Sequence, residues 1–295
     1  MKIWLNGKFI NRNSLKVDIL AHTLHYGTGV FEGIRCYKTK NGPAVFRLKE
    51  HIERLFSSAK YLNIKINFKK EDVVFAVLNT IKINKLEECY IRPLVFLNPQ
   101  IKLDITSLEP NLAIITVPFP KYLGDNPVKA KISKFIRIHP QSVIPEAKVC
   151  GYYINSVLAT MDAKKSGFEE AILLDYKGFV AEGPGENIFI VKNKTLYTPK
   201  LGSILPGITR KTVLELARDF KIKTIEKDIK PNELKKADEA FFTGTAAEIT
   251  PIYKIDDVII GNGKIGELTN FIKNNFQRIV SGEIKKYYKW LTFLN

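Results

Sequence analysis

The 295-residue chain is poor in the residues that mark redox, metal-binding and secreted proteins, with 3 cysteines, 4 histidines and 2 methionines. Cys36, Cys89 and Cys150 form no CxxC pair, and joining any two leaves the third unpaired, which excludes a disulfide scaffold and fits a reducing compartment. His22, His25, His51 and His139 include no HExxH arrangement and no cysteine at ligand spacing, so no metal is expected. No apolar run approaches the roughly 20 residues that cross a bilayer, and the richest, 91–97, already holds Arg92 and Pro93. Met1 leads straight into the alternating segment 3–10, so no secretory leader and no membrane partner are expected, and the expected location is cytoplasmic. No strand is followed by GxGxxG, which argues against a plain dinucleotide-binding domain. Acidic residues are the other shortage: 30 face 46 basic ones, for a formal charge of +16. Such a field attracts phosphate polymers. The lysines are scattered, however, as singles and pairs such as Lys69-Lys70 and Lys235-Lys236, so a solvated basic surface is expected and nucleic acid is not an expected partner.

What is present is an apolar content of 45%, enough to fill two cores in a chain of this length. Asn6-Gly7 marks a tight turn between two short strands, and segments 30–37 and 44–46 flank a second turn, so two hairpins are expected. Leu48, Ile52, Leu55, Phe56, Ala59 and Leu62 fall on one helical stripe, and a second helix is expected over 71–83. Strands follow over 90–97 and 112–117. The proline- and glycine-punctuated stretch 118–127 reads as a connection between a first domain, 1–117, and a second, 128–295. The second half is expected to run as a strand over 131–138, a helix over 152–165, several short strands over 170–198, a helix after Gly207, a strand over 239–243 and a closing helix from Glu267. Strands and hairpin turns outnumber helices, which makes the class α+β.

Six short segments stand out by their order: 25–37 (HYGTGVFEGIRCY), 50–55 (EHIERL), 90–93 (YIRP), Lys148 with Gly151-Tyr152-Tyr153, 182–187 (EGPGEN), and 205–210 (LPGITR) with 243–248 (TGTAAE). Each alone is weak. In this order they resemble the two-domain fold-type IV pyridoxal-phosphate enzymes (D-amino acid aminotransferase-like), and most closely the branched-chain amino acid aminotransferases, over almost the whole chain.

The resemblance implies pyridoxal 5′-phosphate as cofactor, carried as an imine on Lys148, whose amine then also moves the proton between the substrate Cα and the cofactor. It implies Glu182 as the carboxylate on the pyridine nitrogen and Tyr153 on the phenolic oxygen, with Glu186 and Asn187 bracing the Glu182 turn. The phosphate falls to Arg54, to the helix-opening Gly207-Ile208-Thr209 and to Thr245. Substrate selection falls to the first domain. Alternation along the strands puts Phe31, Gly33, Arg35 and Tyr37 on one face and Tyr90 and Arg92 on another. The resemblance makes Tyr26, Phe31, Phe119 and Tyr122 walls of an aromatic box, gives Tyr90 and Arg92 a part in carboxylate recognition, and sets Thr245, Ala246 and Ala247 against the substrate carboxylate.

The implied activity moves the amino group of L-leucine, L-isoleucine or L-valine to 2-oxoglutarate in at least a homodimer, with a hexamer as the larger alternative. A D-amino acid aminotransferase or a 4-amino-4-deoxychorismate lyase shares the same lysine and glutamate. The segments 33–37 and 90–93 look like the L-branched-chain group instead. Two departures from the family pattern stand out. The spacer 149–152 (VCGY) is less glycine-rich than is common, and 98–104 (NPQIKLD) lacks the glycine-rich loop of many bacterial members.

Overall fold

The computed structural model describes residues 1–118 and 122–294. The described chain forms two compact units, one made of residues 1–118, 147–152 and 278–294, the other of residues 122–146 and 153–277. Among the described residues no helix is long and apolar enough to cross a membrane.

The first unit is an 8-stranded sheet in the order Leu291–Phe293, Gly42–Phe46, Ile34–Thr39, Cys89–Leu97, Pro110–Val117, Lys2–Leu5, Lys8–Asn11, with Val30–Phe31 also paired to Cys89–Leu97. All its pairings are antiparallel. The hairpin at its end turns on Asn6 and Gly7, both in the left-handed region at φ 47° and 89°, as a two-residue hairpin turn requires. The Cys89–Leu97 strand alternates buried and half-buried along its whole length, the signature of one face on a core and the other on something wetter. Two helices, Leu48–Tyr61 and Lys70–Ile83, close this core with Leu48, Ile52, Leu55 and Ile81 fully buried.

The second unit is a 9-stranded mixed sheet in the order Val180–Glu182, Glu170–Leu174, Val128–Ile132, Glu248–Ile255, Glu239–Gly244, Asn187–Lys192, Thr195–Thr198, Thr224–Glu226, with Val258–Ile259 paired to Glu248–Ile255. Phe189 and Phe241 stack at 5.2 Å on one face of the sheet, and Phe242, the next residue in its strand, is buried on the other with Ile188, Ile190 and Ile252. The helices Tyr153–Lys165 and Ile208–Asp219 belong to this unit.

The structure differs from the sequence reading in three places. The segment 147–152 and the tail from 278 belong to the first unit, not to a domain running 128–295. The reason is pairing: Phe31 N–H donates to the Lys148 carbonyl at 3.1 Å, Cys150 N–H to Gly29 at 2.7 Å, and Leu291–Phe293 adds a strand to the first sheet. The strand expected over 131–138 is Val128–Ile132, ending where its two neighbours stop pairing, and residues 133–138 are irregular. The strand Glu248–Ile255 was not expected at all.

Candidate active site

In the first unit the Leu48–Tyr61 helix buries more than an apolar stripe. His51, Arg54 and Ser58 recur at helical spacing on or beside the buried face, with His51 and Ser58 fully buried. Glu32 meets them from the break between Val30–Phe31 and Ile34–Thr39, where the expected run of alternation over 31–37 is interrupted. Its carboxylate, 0% exposed, accepts from His51 Nδ1 at 2.6 Å, from Arg54 Nε and Nη2 at 2.6 and 2.9 Å, and from the Gly33 amide at 3.3 Å. Burial alone would raise the Glu32 pKa, but the Arg54 and His51 interactions outweigh it and hold this carboxyl far below the usual range. His51 is pushed down, first by burial and then by the charges of Arg54 and Lys148, against the pull of Glu32, and is neutral near pH 7. Its proton therefore sits on Nδ1, facing the carboxylate. Ser58 Oγ accepts the Lys148 amide N–H at 3.0 Å, so the same helix face anchors the lysine's backbone.

Lys148 is half-buried, its Nζ 4.9 Å from the centre of the Phe31 ring. The Arg92 guanidinium carbon stands 4.5 Å from that ring and 5.4 Å from Tyr90, and Nη2 donates to the Tyr90 hydroxyl at 3.1 Å. Gly33 makes room for that phenol: a Cβ there would lie 2.0 Å from the Tyr90 oxygen. Phe31, Gly33, Tyr90, Arg92 and Lys148 are thus brought together. Arg35 is turned to a different partner, Glu88, at 2.9 Å. Tyr26 is 40% exposed on the short helix His22–Tyr26, its ring 4.5 Å from that of His22.

The second unit holds another buried carboxylate. Glu182, at the end of Val180–Glu182, accepts from Arg137 Nε at 2.7 Å, from Asn187 Nδ2 at 3.1 Å and from the Leu205 amide at 3.2 Å. Asn187 also donates to the Leu205 carbonyl at 2.9 Å, and Glu186 accepts the Gly185 amide at 3.1 Å, so both brace the turn. Gly207 N-caps the Ile208–Asp219 helix without a side-chain cap, and a Cβ on it would lie 1.9 Å from Asn187 Oδ1. Ile208 and Thr209 open that helix, buried. Thr245, Ala246 and Ala247 make the turn between Glu239–Gly244 and Glu248–Ile255, and the Ala246 carbonyl accepts the Tyr122 amide at 3.2 Å. Burial and the charges of Glu170 and Glu186 push the Tyr122 phenol's pKa up, which keeps it protonated. Tyr153 opens its helix, half-buried. Phe119 lies outside the described residues. Among the described residues no group of three or more His, Cys, Asp or Glu could hold a metal ion.

Sequence reasoning missed Glu32, His51, Ser58 and Arg137. His51 and Ser58 carried a usable signal, polar residues on an apolar stripe; Arg137 carried none, since its partner lies 45 residues away.

Residues 29–255 match the family model of the class IV amino-transferases. The branched-chain-amino-acid aminotransferase of Pseudomonas aeruginosa is 41% identical over 297 residues, covering 99% of this chain and 97% of that protein. The crystal structure of the branched-chain aminotransferase from Thermoproteus uzoniensis with norvaline superposes with a TM-score of 0.97 at 43% identity, covering 100% of this chain and 99% of that one. The T.th. branched-chain amino acid aminotransferase, complexed with N-(5′-phosphopyridoxyl)-L-glutamate, superposes with a TM-score of 0.94 at 38% identity, covering 100% of this chain and 98% of that one.

Proposed function

Because the chain belongs to the class IV amino-transferase family, we propose that it is a pyridoxal-phosphate-dependent branched-chain-amino-acid aminotransferase, moving the amino group of L-leucine, L-isoleucine or L-valine to 2-oxoglutarate. The observation that carries the reading is end-to-end likeness at 43% identity to a norvaline-bound enzyme of that kind. A glutamate adduct of the phosphopyridoxyl group in a second neighbour supports both the cofactor and the second substrate.

The side chains fit such a group. A dianionic phosphate needs converging donors, and Arg54 and the uncapped amides of residues 207–209 are of that kind. A protonated pyridine nitrogen needs a carboxylate that stays ionised, and Glu182 is held by an arginine, an amide and a backbone N–H. Arg92 Nε is buried with no hydrogen-bond partner among the described residues, a donor that a substrate carboxylate would satisfy. When bound, the cofactor supplies an aldehyde that takes and returns the amino group and a ring that accepts the electron pair of the substrate Cα–H bond. Lys148 Nζ is the amine that would hold the group and, when free, would move the proton at the substrate Cα. Glu182, oriented by Arg137 and Asn187, would hold the ring nitrogen in its protonated form, and Tyr153 would hold the phenolic oxygen. Tyr90 and Arg92 would orient a substrate carboxylate and Tyr26 and Phe31 would face its aliphatic side chain, while Tyr122, Phe119, Thr245, Ala246 and Ala247 keep the substrate-binding parts that the family resemblance implies. Arg35, engaged by Glu88, keeps a supporting place. The enzyme acts as at least a homodimer, and its three free cysteines suit the cytoplasm.

The test is a donor panel with 2-oxoglutarate, followed by borohydride reduction and peptide mapping. L-Leucine, L-isoleucine and L-valine should react, D-alanine should not, and the pyridoxyl group should map to Lys148. Turnover of D-amino acids alone, or label on another lysine, would refute the reading.

A further inference from the structure

The arginine assigned to the phosphate is already engaged by a carboxylate, and engaged by one particular edge. Glu32 takes the Nε and Nη2 protons of Arg54 at 2.6 and 2.9 Å, the side-on fork that fixes a guanidinium's plane as well as its distance. The carboxylate is in turn pinned by His51 Nδ1 at 2.6 Å and by the Gly33 amide at 3.3 Å. His51 and Arg54 stand three residues apart on one helix, so a single rigid element carries both donors to Glu32. A 0% exposed carboxylate is a costly way to fill space between a sheet and a helix, since an apolar residue of the same volume is often as stabilising. What the carboxylate does that an apolar residue cannot is hold Arg54 in one orientation before any anion arrives. An arginine ordered in advance loses less side-chain freedom on binding.

We propose that Glu32 and His51 are positioning residues for Arg54, setting the protein's affinity for the phosphate of its cofactor without touching it. Glu32 fixes the guanidinium plane. His51, neutral and donating from Nδ1, fixes Glu32. The proposal rests on the reading of Arg54 as the phosphate arginine, and the experiment separates the two.

Full-length protein stripped of cofactor is titrated with pyridoxal 5′-phosphate and with pyridoxal, which lacks the phosphate, following the visible absorbance of the bound form. Glu32→Gln keeps the shape and removes the charge. It should weaken pyridoxal 5′-phosphate by about tenfold to a hundredfold, the effect of a lost charged hydrogen bond, and leave pyridoxal unchanged. The effect should vanish in an Arg54→Ala background. His51→Asn, whose amide can replace the Nδ1 donor, should behave as the parent, whereas His51→Ala should lose phosphate affinity as Glu32→Gln does; this pair carries the test if Glu32→Gln fails to fold. Equal weakening of both ligands, no weakening of either, or no difference between His51→Asn and His51→Ala would overturn the positioning role. A parent protein that binds pyridoxal as tightly as its phosphate would instead overturn the assignment of Arg54 itself.

Discussion

Three arginines in the first unit show how neighbours decide what a guanidinium is for. Arg35 is 3% exposed and tied to Glu88, and Arg54 is tied to Glu32. Arg92 has a phenol and two aromatic faces, with Nη2 on the Tyr90 hydroxyl at 3.1 Å and Nε buried without a partner among the described residues. An enzyme that shuttles nitrogen between leucine and glutamate must accept an aliphatic side chain and a second carboxylate in one place, so it needs a cation that the apolar substrate can leave undisturbed. Arg92 fits that role better than Arg35, whose charge is already compensated. Arg92→Ala should weaken the glutamate half-reaction by about 1.5 to 3 kcal/mol and the leucine half-reaction much less. Stopped-flow single turnovers with each donor measure this; equal losses would place Arg92 on the shared α-carboxylate or in the fold.

At the scale of elements, Gly207 ties the helix Ile208–Asp219 to the Glu182 turn. Its φ of −67° suits any residue, so the glycine is explained by the 1.9 Å that a Cβ would leave to Asn187 Oδ1. Gly207→Ala must displace Asn187 and with it a bond to Glu182, and should cost about 1 to 3 kcal/mol of stability and loosen the cofactor. Gly185→Ala, with nothing within 4 Å of its Cβ, is the control and should melt as the parent does. Calorimetry of both variants decides, and equal melting temperatures would remove the steric argument. The two long helices of the first unit were readable from the sequence because burial repeats at their own period, and Leu48, Ile52, Leu55 and Ala59 are buried as the stripe expects. The strand Glu248–Ile255 escaped because it begins at Glu248 in the left-handed region, φ 55°, and carries Pro251, both poor strand signals. The Lys148 segment looked like part of the second domain because its ties to Gly27, Gly29 and Phe31 are backbone bonds, which leave no trace in side-chain pattern. Glu182 and Lys148 were singled out through resemblance. The network around them was not, since Arg137 and Glu32 act across long stretches of chain with no periodicity to announce them.

For the whole molecule, two runs stand out among the apolar residues left on the surface of the described chain. On the helix Tyr153–Lys165, Ile154, Val157, Leu158 and Met161 follow i, i+3, i+4, i+7 spacing and are 61%, 49%, 38% and 47% exposed. Ile19, Leu24, Ile101 and Leu103 are 77%, 60%, 62% and 82% exposed on two segments joined by the Ala21–Pro99 bridge. Scattered single apolar side chains need no explanation, but runs of this kind mark an interface. Burying such a side chain is worth about 1.5 to 3 kcal/mol, so four on one face are enough to decide an association. A net charge of +16 opposes indiscriminate self-association, so a pairing of two copies would have to come from a matched apolar face. A two-fold pair is the simplest closed arrangement, in which one face meets itself. Val157→Glu would bring a carboxylate into that face on both copies at once, and Leu103→Glu would do the same for the second. Light scattering should give a dimer or a multiple of it for the parent protein, and a smaller species for each variant with cooperative unfolding retained. A parent that is monomeric and fully active at assay concentration would refute the paired enzyme, and a variant that keeps the parent mass would remove its face from the interface.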